Sequence, residues 1–380
     1  MNPEFLEIAD RIGARLCRDA LWSGGRCNWT GEHLEDGAIA YGSLGPQIYS
    51  GTSGIALFLW RLAEATGDRI VRLTARAALR QALSRMPQEG CGLYGGGLGI
   101  LYAAAEIEGA GDAEAVLRQA APDRGRLDIV SGSAGAIGGL LRIDRRLGGG
   151  RWTEAAAAHG DLLLAEAERT AEGWSWKGAV GSRNLTGFSH GAAGIGWALA
   201  ELWKATGEAR FGEGAREAFR YERSCFDAAA GNWPDFRGDA PKFAAVWCHG
   251  AGGIGFSRLR AWQILREEEL LAEARTALAA VAETLLADVN FCLCHGIAGN
   301  GDLMIYAASV LGEDGWREKA EEAGRQGAAR YERRSAPWPC GLPRGHEVPG
   351  LMLGMAGIGY FYLRLADEAG TPTMLLPGSP

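Results

Sequence analysis

Apolar segments recur along this chain, each opening on two glycines three apart: Gly51/Gly54, Gly96/Gly99, Gly132/Gly135, Gly191/Gly194, Gly250/Gly253, Gly296/Gly299 and Gly354/Gly357. After each pair nearly every position is apolar for two turns, as in Ile55-Ala56-Leu57-Phe58-Leu59-Trp60. A run with no polar face predicts a helix buried on most sides. Gly67 and Gly207, at the ends of two such runs, are expected C-caps. Between the runs the pattern turns amphipathic, predicting helices over 4–17, 69–86, 113–120, 154–171, 208–222, 267–287 and 315–331. Within 267–287, Leu271, Leu278, Val281 and Leu285 form the expected inward stripe. No sustained period-two alternation argues for a sheet. Repeating units that cannot bury their own faces must stack on neighbours, and closing the ring removes the ends. The pattern therefore predicts an all-α fold: one α/α toroid domain over 1–380, about seven inner helices wrapped by about seven outer ones.

Composition narrows the function classes. The chain is 47% hydrophobic and 22% charged, as an ordinary globular protein is. A net charge of −7 leaves no basic footprint for nucleic acid. No apolar run is long enough to span a bilayer, and the start does not read as a signal peptide. The eight cysteines are thus expected to be reduced, some of them on metal, in a cytoplasmic protein.

The Gly-x-x-Gly turns have a geometric role, since glycine lets the backbone pack closely where a loop enters a helix. As a set they also place the residues just before them around one rim. Two of these segments, Trp247-Cys248-His249-Gly250 and Leu293-Cys294-His295-Gly296, offer thiolates and imidazoles, a donor set suited to Zn²⁺. Cys248, Cys294 and His295 are the expected ligands. They leave a fourth tetrahedral position open, as catalytic zinc sites do; Cys292 or His249 would close it into a structural site. Asp128 and His190 sit on the same rim. His159 falls on an outer helix, and Trp176 and Trp233 read as core.

The chain resembles the lanthionine synthetase C-like family, the cyclases of lanthipeptide biosynthesis. The resemblance is carried by Leu127-Asp128-Ile129-Val130-Ser131-Gly132, Thr186-Gly187-Phe188-Ser189-His190-Gly191, Trp247-Cys248-His249-Gly250 and Cys294-His295-Gly296-Ile297-Ala298-Gly299-Asn300. In wording it is nearest to the cyclase domain of multidomain synthetases. It implies a toroid, zinc on Cys248, Cys294 and His295, and proton-handling roles for His190 and Asp128. It departs from the family at Ala244, where classical cyclases carry arginine; Lys242 or another cation is the expected substitute.

The implied reaction adds a peptide cysteine thiol to dehydroalanine or dehydrobutyrine, forming a thioether ring. A thiol with a pKa near 8.5 is only partly ionised at neutral pH, and zinc deprotonates it. The enolate formed needs a proton at its α-carbon, for which His190 is the first choice and His249 the second, with Asp128 assisting. The implied partners are a dehydrated precursor peptide and a separate dehydratase or kinase/lyase. Competing readings are addition of glutathione or a similar thiol, another thiol alkylation of the protein-prenyltransferase kind, and a non-catalytic peptide-binding scaffold with structural zinc.

Overall fold

The computed structural model describes residues 1–35, 38–87, 90–109, 113–178, 183–287 and 290–377, and these contain fourteen α-helices in strict alternation of character. Each glycine pair opens an even-numbered helix: α2 (Thr52–Thr66), α4 (Gly97–Glu108), α6 (Ser133–Leu147), α8 (Ala192–Thr206), α10 (Ala251–Leu265), α12 (Ile297–Leu311) and α14 (Met355–Ala366). These are the inner helices. In α8, α10 and α14 the first ten residues are all buried, which is why their sequences lack a polar face.

The odd-numbered helices are the amphipathic ones: α1 (Pro3–Asp19), α3 (Arg69–Ser84), α5 (Ala113–Gln119), α7 (Arg151–Ala165), α9 (Ala209–Ser224), α11 (Glu268–Thr284) and α13 (Asp314–Gly327). Local chemistry sets their boundaries. Asn2 caps α1 with Pro3 in its first turn, and Asp68 Oδ1 accepts from Ile70 and Val71 N–H to start α3. Gly67 and Gly207 end α2 and α8 in the left-handed conformation at φ 75° and 73°, as expected.

The chain divides into two compact units. The first comprises 1–87, 99–111 and 285–373. In it α2, α14 and α12 lie side by side, backed by α3, α1 and α13. Arg61 on α2 pairs with buried Glu106 on α4, and Arg364 on α14 with buried Asp302 on α12 at 2.7 Å. The second unit comprises 88–98, 112–284 and 374–380. There α6, α8 and α10 adjoin, backed by α7, α9 and α11, and Glu201 on α8 pairs with Arg260 on α10. The segment near the C-terminus is built into this unit: Leu375 is fully buried, and its carbonyl accepts from Trp247 Nε1 at 3.0 Å.

The all-α class holds, with short hairpins added and two helix details changed. Strands exist: β1 (Leu21–Ser23) pairs with β2 (Arg26–Asn28), β3 (Thr30–Glu35) with β4 (Ala38–Ser43), and β5 (Glu168–Thr170) with β6 (Gly173–Ser175). Strands of three to six residues are too short to print a period. The helix expected over 154–171 ends at Ala165, where the β5–β6 hairpin begins. Finally, the buried stripe of α11 runs through Leu270 rather than Leu271. No helix among the described residues is long and apolar enough to cross a membrane.

His159 lies on outer helix α7 as expected, but faces inward and is fully buried. Its Nε2 donates to the Ala120 carbonyl at 2.8 Å, so Nδ1 accepts from the Ser133 hydroxyl at 3.0 Å. Burial pushes its pKa down to about 4 from 6.5. The unfolded chain therefore protonates first as pH falls. The stability held by neutral His159 is full above pH 6.5 and is lost between 6.5 and about 4, by roughly 3 kcal/mol. Replacing His159 with Gln should flatten that acid limb in urea titrations across this range. Parallel limbs for both proteins would show that other groups set the acid sensitivity.

Candidate functional site

The rim before the inner helices is laced by backbone hydrogen bonds. Ile129 N–H donates to Ser189 O at 3.1 Å, and Ser189 donates to Cys248 O twice, from N–H at 3.2 Å and from Oγ at 2.9 Å. Elsewhere on the rim, Cys294 N–H reaches Met352 O at 2.9 Å, and Met352 N–H reaches Tyr49 O at 2.8 Å. Gly187 supplies the close approach beside His190: its φ is +91°, and a Cβ there would sit 3.2 Å from His249 Cα.

One atom from each of Cys248, Cys294 and His295 comes together, all within 4.8 Å of one another. The chemistry of this set fits zinc. Tetrahedral Zn–S and Zn–N bonds of about 2.3 and 2.0–2.1 Å place ligand atoms roughly 3.5 Å apart, so a small contraction suffices. His295 Nε2 donates to the Gly341 carbonyl at 2.9 Å, which fixes the ring. Cys292 and His249 stand outside the group among the described residues. Cys292 is fully buried, and its sulfur accepts from His295 N–H at 3.4 Å.

Tyr49 was not visible from the sequence as a site residue. Its hydroxyl donates to Cys294 Sγ at 3.0 Å across 245 positions of chain. The only available signal was its register, two places before Gly51 as Cys294 is two before Gly296.

His190 and Asp128 meet directly. His190 Nδ1 lies 2.6 Å from Asp128 Oδ2, and Ser131 N–H holds Oδ1 at 2.7 Å. Asp128 thus both ties its own turn and orients the imidazole. The pair lines a cleft of about 540 Å³ shared with Arg126, Lys177, Arg237 and Trp176. Trp176 is buried core with an edge on this cleft, while Trp233 is wholly core. His249 is 1% exposed and stacks on His190 at 5.9 Å between centroids. Burial pushes its pKa down to about 4, and Asp235 Oδ1 approaches its Nδ1 only to 3.8 Å.

At the departure site, the Ala244 carbonyl accepts from Asn232 Nδ2 at 3.1 Å. Lys242 is exposed and outside the cleft lining. Arg237, gripped by Asp235 at 2.7 Å, does line the cleft, with Arg126 and Lys177.

An alternation of buried and amphipathic helices with a Cys₂His donor set defines a class: an α/α toroid with a candidate metal site. The fold agrees with solved structures. Nisin cyclase superposes with a TM-score of 0.68 at 14% identity, covering 96% of this chain and 95% of that one. A Bacteroides thetaiotaomicron GH76 α-mannanase superposes at 0.56 with 13% identity, 95% of each chain covered. The profile of the family "Lanthionine synthetase C-like protein" matches residues 42–376, and the chain belongs to that family.

Among curated relatives, the lacticin 481/lactococcin biosynthesis protein LcnDR2 of Lactococcus lactis is 25% identical over 205 residues, 51% of this chain and 22% of that protein. A Danio rerio protein named glutathione S-transferase LANCL1 is 27% identical over 122 residues, 32% of this chain and 30% of that one. The matches therefore span under a third of either curated relative.

Changing Cys248, Cys294 or His295 singly to Ala should sharply lower bound zinc, from about one per chain, in metal analysis of purified protein. Cys292→Ala should leave it intact; loss equal to that of Cys294→Ala would mean a closed, four-ligand site. Tyr49→Phe should weaken zinc affinity roughly 10- to 100-fold in chelator competition, the usual worth of a hydrogen bond behind a ligand.

Proposed function

We propose that this chain is a zinc-dependent lanthipeptide cyclase, adding a cysteine thiolate of a dehydrated precursor peptide to dehydroalanine or dehydrobutyrine. The observation that carries the reading is the three-ligand Cys₂His group within 4.8 Å. Such a set leaves one tetrahedral position for a substrate thiol. When bound there, Zn²⁺ would supply thiol deprotonation at neutral pH.

The remaining work falls to the chain's own residues. As sulfur attacks the β-carbon, the π electrons move onto the carbonyl oxygen, and the α-carbon of the enolate then takes a proton. His190 fits as its donor. With Nδ1–H given to Asp128, its Nε2 is the nitrogen free to exchange a proton, and its side chain is 35% exposed to the cleft. Asp128 holds the tautomer and stabilises the imidazolium. His249, buried beneath, serves as the ring against which His190 stacks rather than as the acid. Arg237 on the cleft wall supplies a cation toward the enolate oxygen, in place of the arginine that Ala244 lacks.

Glycoside hydrolysis, the chemistry of the mannanase sharing this fold, ordinarily requires two carboxylates flanking the bond. The cleft lining holds one, Asp128, so the fold likeness does not carry that activity here. A second reading keeps the same residues and changes the nucleophile to glutathione, in line with the name of the zebrafish relative. A dehydratase would prepare the peptide.

Mass spectrometry of a dehydrated peptide incubated with the protein, with and without glutathione, separates these. Ring formation leaves mass unchanged but blocks thiol alkylation; an adduct adds the mass of the thiol. His190→Ala should keep zinc and thiol binding, followed on the Co²⁺-substituted protein, while ring closure slows roughly 10²- to 10⁴-fold. Wild-type closure by that variant would move the acid elsewhere, and loss of zinc would make His190 a ligand.

A further inference from the structure

Beneath the His190 segment lies a carboxylate that the chemistry above does not use. Glu222, on α9, is fully buried. Its Oε1 accepts two backbone N–H groups, from Gly187 at 2.9 Å and from Ala193 at 2.8 Å. These amides flank His190, three residues away on either side. Its Oε2 is buried with no hydrogen-bond partner. The facing cation is Arg258 of α10, whose Nε is taken by Glu273 of α11. Burial, opposed by Arg258 and the two amides, pushes the Glu222 carboxyl up to about 7.

An ionisable group in so dry a place is costly, and capping two amides does not by itself require a charge. In its ionised form the group holds them more strongly, because hydrogen bonds to a carboxylate are roughly twice as strong as neutral ones. The segment it holds needs that strength. It turns at Gly187 with φ +91°, a conformation glycine tolerates but does not enforce. On its other side Ser189 ties it to the Cys248 carbonyl. With Glu222 below and Ser189 across, the backbone bearing His190 is fixed at both ends and in the middle.

We propose that Glu222 is a positioning residue for proton transfer: its carboxylate clamps Gly187 and Ala193 and so sets the angle at which His190 faces the cleft. The proposal rests on the reading of His190 as proton donor. It predicts an effect on ring closure without an effect on metal, and a displacement of order 1 Å is enough to cost about 10²-fold in rate.

The test compares Glu222→Gln and Glu222→Met with wild type. Three quantities are read: amide hydrogen exchange at Gly187 and Ala193, zinc content, and ring-closure kcat and KM on a dehydrated peptide. In the Met variant both amides should exchange faster and kcat should fall about 30- to 100-fold, with zinc and KM unchanged. In the Gln variant, which keeps a neutral acceptor, both changes should be intermediate, kcat falling about 3- to 10-fold. Faster exchange with an unchanged kcat overturns the positioning role; so does unchanged exchange. If the Met variant does not fold, the Gln variant decides: wild-type exchange and rate there overturn the proposal. Failure of wild-type protein to close any ring would instead overturn the cyclase reading, since the exchange measurement does not depend on activity.

Discussion

The structure depends on one steric constraint, a backbone carbonyl folded against a glycine at the mouth of six inner helices. A Cβ built on the second glycine of a pair would fall 1.9–2.1 Å from the carbonyl oxygen six residues earlier. This holds at Gly54 with Ile48, Gly135 with Ile129, Gly194 with Phe188, Gly253 with Trp247, Gly299 with Leu293 and Gly357 with Leu351. No side chain fits there, whatever φ the residue adopts. Because the carbonyl is pinned, the residues between it and the helix are held in one register. The side chain of that pinned residue also packs on the next repeat's glycine: Leu93 on Gly135, Ile129 on Gly194, Phe188 on Gly253, Leu293 on Gly357, Leu351 on Gly54. The constraint that shapes each turn therefore also spaces it from its neighbour.

Identical register does not mean identical chemistry. His190, His249 and His295 all stand one residue before the first glycine of a pair. His295 gives Nε2 to Gly341 and stands with Cys248 and Cys294; His190 gives Nδ1 to Asp128 and remains half-exposed; His249 is buried with neither nitrogen hydrogen-bonded. The fifth turn also departs in backbone. Gly250 has φ +72°, whereas Gly191, Gly296 and Gly354 are extended. Partners from elsewhere in the chain, not the repeat itself, decide what each imidazole does.

That division explains what was legible in the sequence. The glycine pairs, the unbroken apolar runs after them and the amphipathic stretches between are local patterns. They sufficed for the helices, the toroid class and the Cys248, Cys294 and His295 group. Contacts set by other segments left no local trace. Tyr49 reaches Cys294, Gly341 orients His295, and Glu222 clamps amides 35 and 29 residues away. Glu222 reads in sequence only as part of an amphipathic helix, because a buried carboxylate bonded to distant backbone amides has no distinguishing neighbour. The short hairpins escaped for a different reason: three residues of strand carry no measurable period.

Placement at the helix mouths has an electrostatic consequence that magnitudes can weigh. Cys248 and Cys294 lie just before the N-termini of α10 and α12, where the helix dipole favours negative charge. A helix end stabilises a nearby anion by about 0.3–1 kcal/mol. Bringing a thiol from a pKa near 8.5 to below 7 requires about 2 kcal/mol or more. Helix ends alone therefore fall short of ionising these thiols, and the Tyr49 hydroxyl, at about 1 kcal/mol for a typical hydrogen bond, narrows the gap without securing it. A divalent cation closes it with a wide margin. The helix mouths and Tyr49 thus bias toward thiolate, the form in which cysteine binds a metal. The neighbouring mouth of α8, beside which His190 stands, carries the same partial positive charge. The turns that hold Cys248 and Cys294 in register thus set each of them at a positive helix end.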